Sequence, residues 1–175
     1  MVTADLQPAE VDEIRALMVD AFGTEDDERF RDEDWLHALG GTHIVLEVDG
    51  RIVSHAAVVE RPIEVGGRPL RTGYVEAMAT APDAQGRGLG SQVMTDVNAF
   101  IRGGYDLGML GTGRQSFYER LGWRIWAGPS FVRTADGLQP SPDEDGYLLV
   151  LETPTTPTLD PAASISCDWR PGDAW

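Results

Sequence analysis

YVEAMATAPDAQGRGLGSQVMTDVNAFI, residues 74–101, passes from a strand pattern to a glycine loop and then to a helix pattern within one short segment. Tyr74–Thr80 is rich in strand formers, with Tyr74, Glu76 and Met78 expected on one face and Val75, Ala77 and Ala79 on the other. Gln85-Gly86-Arg87-Gly88-Leu89-Gly90 follows, and residues 91–102 repeat apolar side chains at helical spacing through Val93, Val97, Phe100 and Ile101. Loop glycines let a backbone approach a ligand closely, and N–H groups at a helix start point at it. That is a way to hold a pyrophosphate with few cationic side chains. No Gly-Lys-Ser/Thr follows, so the loop is not a nucleotide P-loop, and Ser91 stands where the dinucleotide fingerprint needs its last glycine.

Outward from this segment the chain alternates strand and helix. Residues 8–22 predict a helix, with Pro8 in its first turn and Val11, Ile14, Leu17 and Met18 on one face. Gly23–Asp34 is polar, with seven acids among the ten residues 25–34. His43–Val48 and Arg51–Glu60 predict a hairpin about Asp49-Gly50. Ile63–Val65 and Leu70–Thr80 flank a second turn at Gly66-Gly67. Beyond residue 102, Tyr105–Leu110 predicts a buried strand and Arg114–Leu121 a helix closed by Gly122. Trp123–Trp126, Ser130–Arg133 and Tyr147–Glu152 predict strands, and 135–146 a loop. The order gives an α/β (α+β) domain, a sheet with helices on its faces. The 175 residues fit one domain, with 153–175 as a Pro- and Thr-rich tail.

The formal net charge is −15, and all 14 basic residues are arginine. Such a chain repels nucleic acid and anionic membrane surfaces and attracts cations. No apolar run reaches the ~20 residues of a membrane helix. The first residues are acidic and amphipathic, unlike a secretory signal, so a cytoplasmic location is expected. The lone Cys167 excludes an intrachain disulfide. His37, His43 and His55 lack ligand spacing, so no metal is expected. His55, on a strand with Val53 and Ala57, is expected to be a hydrogen-bonded structural histidine.

Gln85–Gly90 also matches Q/R-x-x-G-x-G/A, the pyrophosphate loop of the GNAT acetyltransferases. The segments ALGGTHIVLEVDGRIVSHAAVVER, RTGYVEAMAT, GWRIWAGPSFV and above all CDWRPGDAW resemble the aminoglycoside 2'-N-acetyltransferases of mycobacteria and related bacteria. The resemblance runs over most of the chain and is weakest at 23–33 and 111–117. It implies the GNAT acyl-CoA N-acyltransferase fold with a mixed central sheet flanked by helices, acetyl-CoA as the acyl donor with CoA as product, an aminoglycoside amine as acceptor, and a homodimer. A polyamine or another small cationic amine, or binding of acyl-CoA without turnover, are the alternatives.

The implied reaction needs a base for the ammonium, whose reference pKa is near ~10, a donor for the carbonyl oxygen and a proton for the leaving thiolate. Glu76 is the candidate base. A carboxylate within an apolar strand is either an edge residue facing water or a site group. The resemblance places it as the glutamate that acts through bridging water. Tyr118, in FYERLGW, is the candidate acid by the same resemblance, and core packing with Phe117 and Trp123 is its other reading. The backbone of Ala77, Met78, Ala79 and Thr80 is expected on the acetyl and pantetheine groups. Gln85, Gly86, Arg87, Gly88, Leu89 and Gly90 are expected on the pyrophosphate. Asp34, Glu76, Glu144, Asp168, Asp173 and Trp175 are the candidate substrate contacts. The sequence departs from the family at Arg29, beside Asp27 and Glu28, where a loop aspartate is expected, and at Gly111 or Thr112, where a serine is.

A partly exposed ion pair contributes about 0–1 kcal/mol, whereas micromolar binding needs about 8 kcal/mol. Four or five such pairs fall short, so sugar hydrogen bonds and contact with Trp35 or Trp175 must add to them. Deleting Trp175 is expected to raise the KM for the cationic substrate strongly, and an unchanged KM removes Trp175 from the site.

Overall fold

Pro8 opens the first helix because its ring presets φ and its missing N–H is not needed there. In this computed structural model, which describes residues 1–23 and 30–175, the helix α1 spans Pro8–Phe22, as its periodicity predicts. The Gln7 N–H donates to Glu10 Oε2 at 2.7 Å, closing the first turn. The chain divides into two units, Met1–Val59 with Val75–Val97, and Glu60–Tyr74 with Asn98–Trp175.

The first unit packs Ile14, Leu17 and Met18 of α1 with Ile52, Val53 and Ala57. Helix α2, Asp32–Ala38, was not anticipated within the polar stretch. Asp34 makes it possible by accepting the Arg31 N–H at 2.7 Å, and Trp35 and Ala38 bury its inner face. The acids at 24–29, with Arg29 and its neighbours, lie outside the described residues. Strands β1 (Thr42–Val48) and β2 (Arg51–Val65) pair antiparallel, with Val45 opposite His55. Asp49 and Gly50 have φ of 53° and 76°, the left-handed pair that a two-residue hairpin needs. The Ile52 N–H donates to Glu13 Oε1 at 2.8 Å and ties β2 to α1.

Strand β2 continues through Arg61-Pro62, where the sequence suggested a break. Proline there removes one donor without obstructing extended backbone. Strand β3, Arg68–Thr80, follows the Gly66-Gly67 turn. Ala77 has φ of 50° in the middle of β3. The two-residue alternation expected for Glu76, Ala77 and Met78 therefore stops there. Helix α3, Leu89–Gly104, starts two residues before the predicted 91.

The second unit adds β4 (Leu107–Gly111), α4 (Gln115–Glu119), β5 (Arg124–Ile125), β6 (Ser130–Thr134), β7 (Gly137–Pro140), β8 (Leu148–Glu152) and β9 (Ile165–Asp168). Their order with the parts of β2 and β3 in this unit is β5-β8-β4-β3-β2-β9-β6-β7. The β3–β4 and β6–β9 pairs are parallel, and β4–β8, β2–β9 and β6–β7 are antiparallel, giving the mixed sheet expected. The β3–β4 ladder covers Thr72–Tyr74 against Leu107–Met109, although β3 runs on to Thr80. Strand β7 falls in the predicted loop and β9 in the predicted tail. Both are short and are held by strand partners that local pattern does not reveal. Close packing fixes the tail: a Cβ on Gly128 would lie 1.8 Å from the Ala163 carbonyl oxygen. No helix among the described residues is long and apolar enough to cross a membrane.

Asn98, buried on α3, joins α4 to the strand beyond it. Its amide donates to the Leu121 carbonyl at 2.9 Å and accepts the Trp123 indole N–H at 2.9 Å. Asn98→Ala orphans both partners, at about 1–3 kcal/mol each. A midpoint of denaturation lowered accordingly is expected, and an unchanged midpoint contradicts this linkage.

Candidate functional site

The glycine loop lies at the start of α3 in the first unit, exposed from Gln85 to Gly88. Gly86 and Gly88 have φ of 73° and 80°, and a Cβ at either would meet nothing within 4 Å. Their requirement is conformational, and the open space beside them leaves the backbone approachable. Gln85 Nε2 donates to the Thr80 carbonyl at 3.0 Å, anchoring the loop to the end of β3. The first helical bond, from the Gln92 N–H to the Gly88 carbonyl (3.0 Å), leaves the preceding N–H groups outside the helix ladder. This end of α3 carries partial positive charge with only Arg87 beside it as a cationic side chain in the loop.

Glu76, Ala77, Met78, Ala79 and Thr80 form the neighbouring strand end of the same unit. Glu76, Ala77 and Met78 are half-buried. The inner side of this stretch is committed to the protein. The Ala77 carbonyl faces His55 Nδ1 at 2.8 Å, and Ser54 Oγ donates to the Ala79 carbonyl at 2.9 Å. His55 is a hydrogen-bonded structural histidine, as expected. Its partnership with His43, Nε2 to Nδ1 at 2.9 Å, escaped the sequence. Val45 and His55 face each other across the hairpin, and only that register brings the two rings together. Burial lowers His43 to about 4 and His55 to about 3, so both are neutral near pH 7.

Tyr118 lies in the second unit, buried on α4. Its ring meets Phe117 edge-on at 4.9 Å and Trp123 at 6.3 Å between centroids, the two aromatic neighbours that its packing reading names. Burial pushes its phenol up to about 12, opposed by the Arg114 charge.

The second unit also brings Glu144, Asp173 and Trp175 together. Burial first, then the charges of Asp173 and Asp143, raise the Glu144 carboxyl above its ordinary value. Asp173 Oδ1 accepts the Trp175 N–H at 2.9 Å. The Trp175 indole N–H donates to Ser141 Oγ at 3.0 Å, and its ring joins the core with Tyr74 and Trp126. Arg61, itself buried, donates to the Ala174 carbonyl at 2.6 Å. Deleting Trp175 therefore also removes core packing, and its KM must be read beside stability. Asp168 is engaged by Arg133, Nε to Oδ1 at 2.8 Å. Asp34 spends one oxygen on its own helix start in the first unit. Cys167 is buried, its thiol raised chiefly by burial and donating to the Ala174 carbonyl at 3.2 Å, which is packing rather than nucleophile chemistry. Among the described residues no group of three or more His, Cys, Asp or Glu side chains is placed to hold a metal ion.

Known proteins give the same class. The family profile described as an acetyltransferase (GNAT) domain matches residues 3–126, and the chain belongs to the GNAT acetyltransferase family. Within it, the chain is 41% identical, over 99% of its length and 89% of the relative's, to an aminoglycoside 2'-N-acetyltransferase of Mycolicibacterium fortuitum. Among solved structures, a GNAT family N-acetyltransferase from Escherichia coli in complex with CoA superimposes with a TM-score of 0.66 at 17% identity, covering 93% of this chain and 86% of that one. A GNAT family acetyltransferase from Brucella melitensis in complex with acetyl-CoA gives 0.58 at 22% identity, covering 89% and 90%.

A phenol raised from 10 to about 12 keeps its proton more tightly folded than unfolded. Its stabilising contribution is present below pH 10 and is lost as pH rises through about 12. Ultraviolet difference titration is expected to show one late phenolate step that Tyr118→Phe removes. A titration that Tyr118→Phe leaves unaltered would refute it.

Proposed function

We propose that this chain is an acetyl-CoA-dependent N-acetyltransferase that acetylates the 2'-amino group of aminoglycosides. The observation that carries this reading is the 41% identity, over 99% of the chain, to the relative of that name. Gly86 and Gly88, held left-handed beside the exposed start of α3, suit the pyrophosphate of acetyl-CoA. In that role Gln85–Gly90 bind the diphosphate and the backbone of Ala77–Thr80 orients the acyl and pantetheine groups.

The amine nitrogen attacks the thioester carbon directly, and the carbon–sulfur bond breaks. Glu76 receives the ammonium proton through water, leaving the nitrogen lone pair available. Tyr118 donates its proton to the departing thiolate. A phenol near 12 gives a proton to a thiolate whose conjugate thiol has a reference pKa of about 8.5 only uphill, so its help is modest until the charged sulfur is close. Glu144 with Asp173 and Asp143 offers a cation site in the second unit, and Asp34, Glu76, Asp168 and Trp175 are the further proposed substrate contacts. A Glu144 carboxyl raised by burial and then by two neighbouring carboxylates is relieved by a bound ammonium, which favours a polycationic substrate. Acetylation converts an ammonium to a neutral amide, and antibiotic resistance follows from the charge the drug loses.

The reading takes residues 1–175 as one catalytic domain, with 153–175 completing the substrate site. The reading includes a cytoplasmic homodimer, with no nucleic-acid or membrane partner, on the family resemblance and the −15 charge.

Release of free CoA is measured with tobramycin, which has a 2'-amine, and with kanamycin A, which has a 2'-hydroxyl. Turnover with the first alone is expected. Turnover with both discards the 2' assignment, and silence with both moves the substrate to polyamines or the chain to acyl-CoA binding without turnover. Glu76→Gln is expected to lower kcat about 10²–10⁴-fold with binding retained. Gly88→Val is expected to raise the KM for acetyl-CoA, since it forbids the left-handed backbone. A wild-type kcat for the first, or a wild-type KM for the second, rejects the assigned role.

A further inference from the structure

Two buried histidines that the reaction does not use lead straight to the strained residue of β3. His55 Nδ1 lies 2.8 Å from the Ala77 carbonyl oxygen, and His55 Nε2 lies 2.9 Å from His43 Nδ1. His43 Nε2 lies 2.8 Å from Thr3 Oγ1, which accepts the Gly40 N–H at 3.0 Å. Both rings are 1% exposed or less, and Trp35 packs against each.

The carbonyl at one end sets the direction of the whole row. It can only accept, so His55 carries its proton on Nδ1. Neutral His55 then accepts at Nε2, so His43 also carries its proton on Nδ1. His43 Nε2 must accept, and the single Thr3 hydroxyl proton goes to it rather than to the Gly41 carbonyl at 3.2 Å. Every donor therefore points toward Ala77. Ala77 needs such support, because its φ of 50° is disfavoured for a residue with a Cβ. A trans peptide is planar, so the Met78 N–H points opposite to the Ala77 carbonyl. Holding that carbonyl against His55 turns the Met78 N–H the other way.

We propose that His55, backed by His43 and Thr3, is a positioning residue for acyl transfer, fixing the Ala77–Met78 peptide so that the Met78 N–H is aimed at the thioester carbonyl oxygen. This rests on the acetyl-transfer reading above. Neither histidine touches substrate, and neither exchanges a proton with it. The low pKa values of the pair keep both rings neutral through the working range, so the hydrogen bonds alone set the tautomers.

The test uses the whole chain. Asparagine at 55 keeps an N–H where Nδ1 stands, and leucine removes it. His55→Leu is expected to lower kcat about 10–100-fold, somewhat less than losing an oxyanion donor outright. The KM for acetyl-CoA is expected to stay within about twofold, and His55→Asn to recover most of kcat. Loss of folded protein alone would scale with the CoA-binding stoichiometry, which is measured alongside. Nitrogen NMR of the free wild-type protein is expected to show the Nδ1–H tautomer for both rings. It is also expected to show a Met78 amide resonance that moves in His55→Leu and returns in His55→Asn. If His55→Leu does not fold, the tautomers and His43→Leu, which leaves the Ala77 contact, decide; a smaller kcat loss is expected there. An Nε2–H tautomer at His55, or a folded His55→Leu variant with wild-type kcat, overturns the proposal. A wild-type protein that releases no CoA with any amine overturns the acetyl-transfer reading instead, and the NMR results still show whether the row holds the peptide.

Discussion

One backbone torsion, the left-handed φ of Ala77 within β3, is the constraint on which the candidate site depends. Strand backbone otherwise sends successive side chains and peptide groups to alternating sides. A residue in the left-handed region interrupts that alternation and turns a peptide out of the ladder. Such a conformation costs of order 1–3 kcal/mol for a residue with a Cβ and persists only where its surroundings determine it. Here the determinant is a buried hydrogen bond to His55, and behind it a second histidine. In a desolvated setting an unmade bond at that carbonyl is costly, so the contact and the torsion support each other.

The acids of this chain divide by use. Glu13 receives the start of β2, Asp34 the start of α2, and Asp168 the guanidinium of Arg133. Each of those carboxylates takes at least one donor of the protein itself. Glu144 differs, because its nearest influences are burial and two further carboxylates, both of which disfavour its charge. A group held above its ordinary pKa by like charge is the place where a bound cation gains most. Net charge attracts cations to the whole surface, whereas local crowding of carboxylates selects where they stay.

The tail contributes through packing before chemistry. Strand β9 pairs with β2 and β6, Trp175 lies in the core of its unit, and the buried Arg61 holds the Ala174 carbonyl. Asp173 and Trp175 thus owe their placement to a well-packed segment rather than to a mobile end.

The sequence by itself determined α1, the Asp49-Gly50 hairpin and the glycine loop, because these rest on local rules of period, turn residue and cap, while the mixed sheet came from family likeness. It also marked Glu76, a carboxylate out of keeping with its strand, and Tyr118, though the choice between packing and chemistry for Tyr118 came from family likeness. Tertiary structure alone decided the rest. Strands β7 and β9 form because distant partners complete their ladders, and α2 because Trp35 and Ala38 find a core. The left-handed turn at Ala77 is invisible in an alanine flanked by strand formers. The pairing of His43 with His55 depends on a strand register that two residues twelve positions apart do not announce. Local torsions are written in neighbouring residues, but a strained one survives only through contacts that the fold assembles.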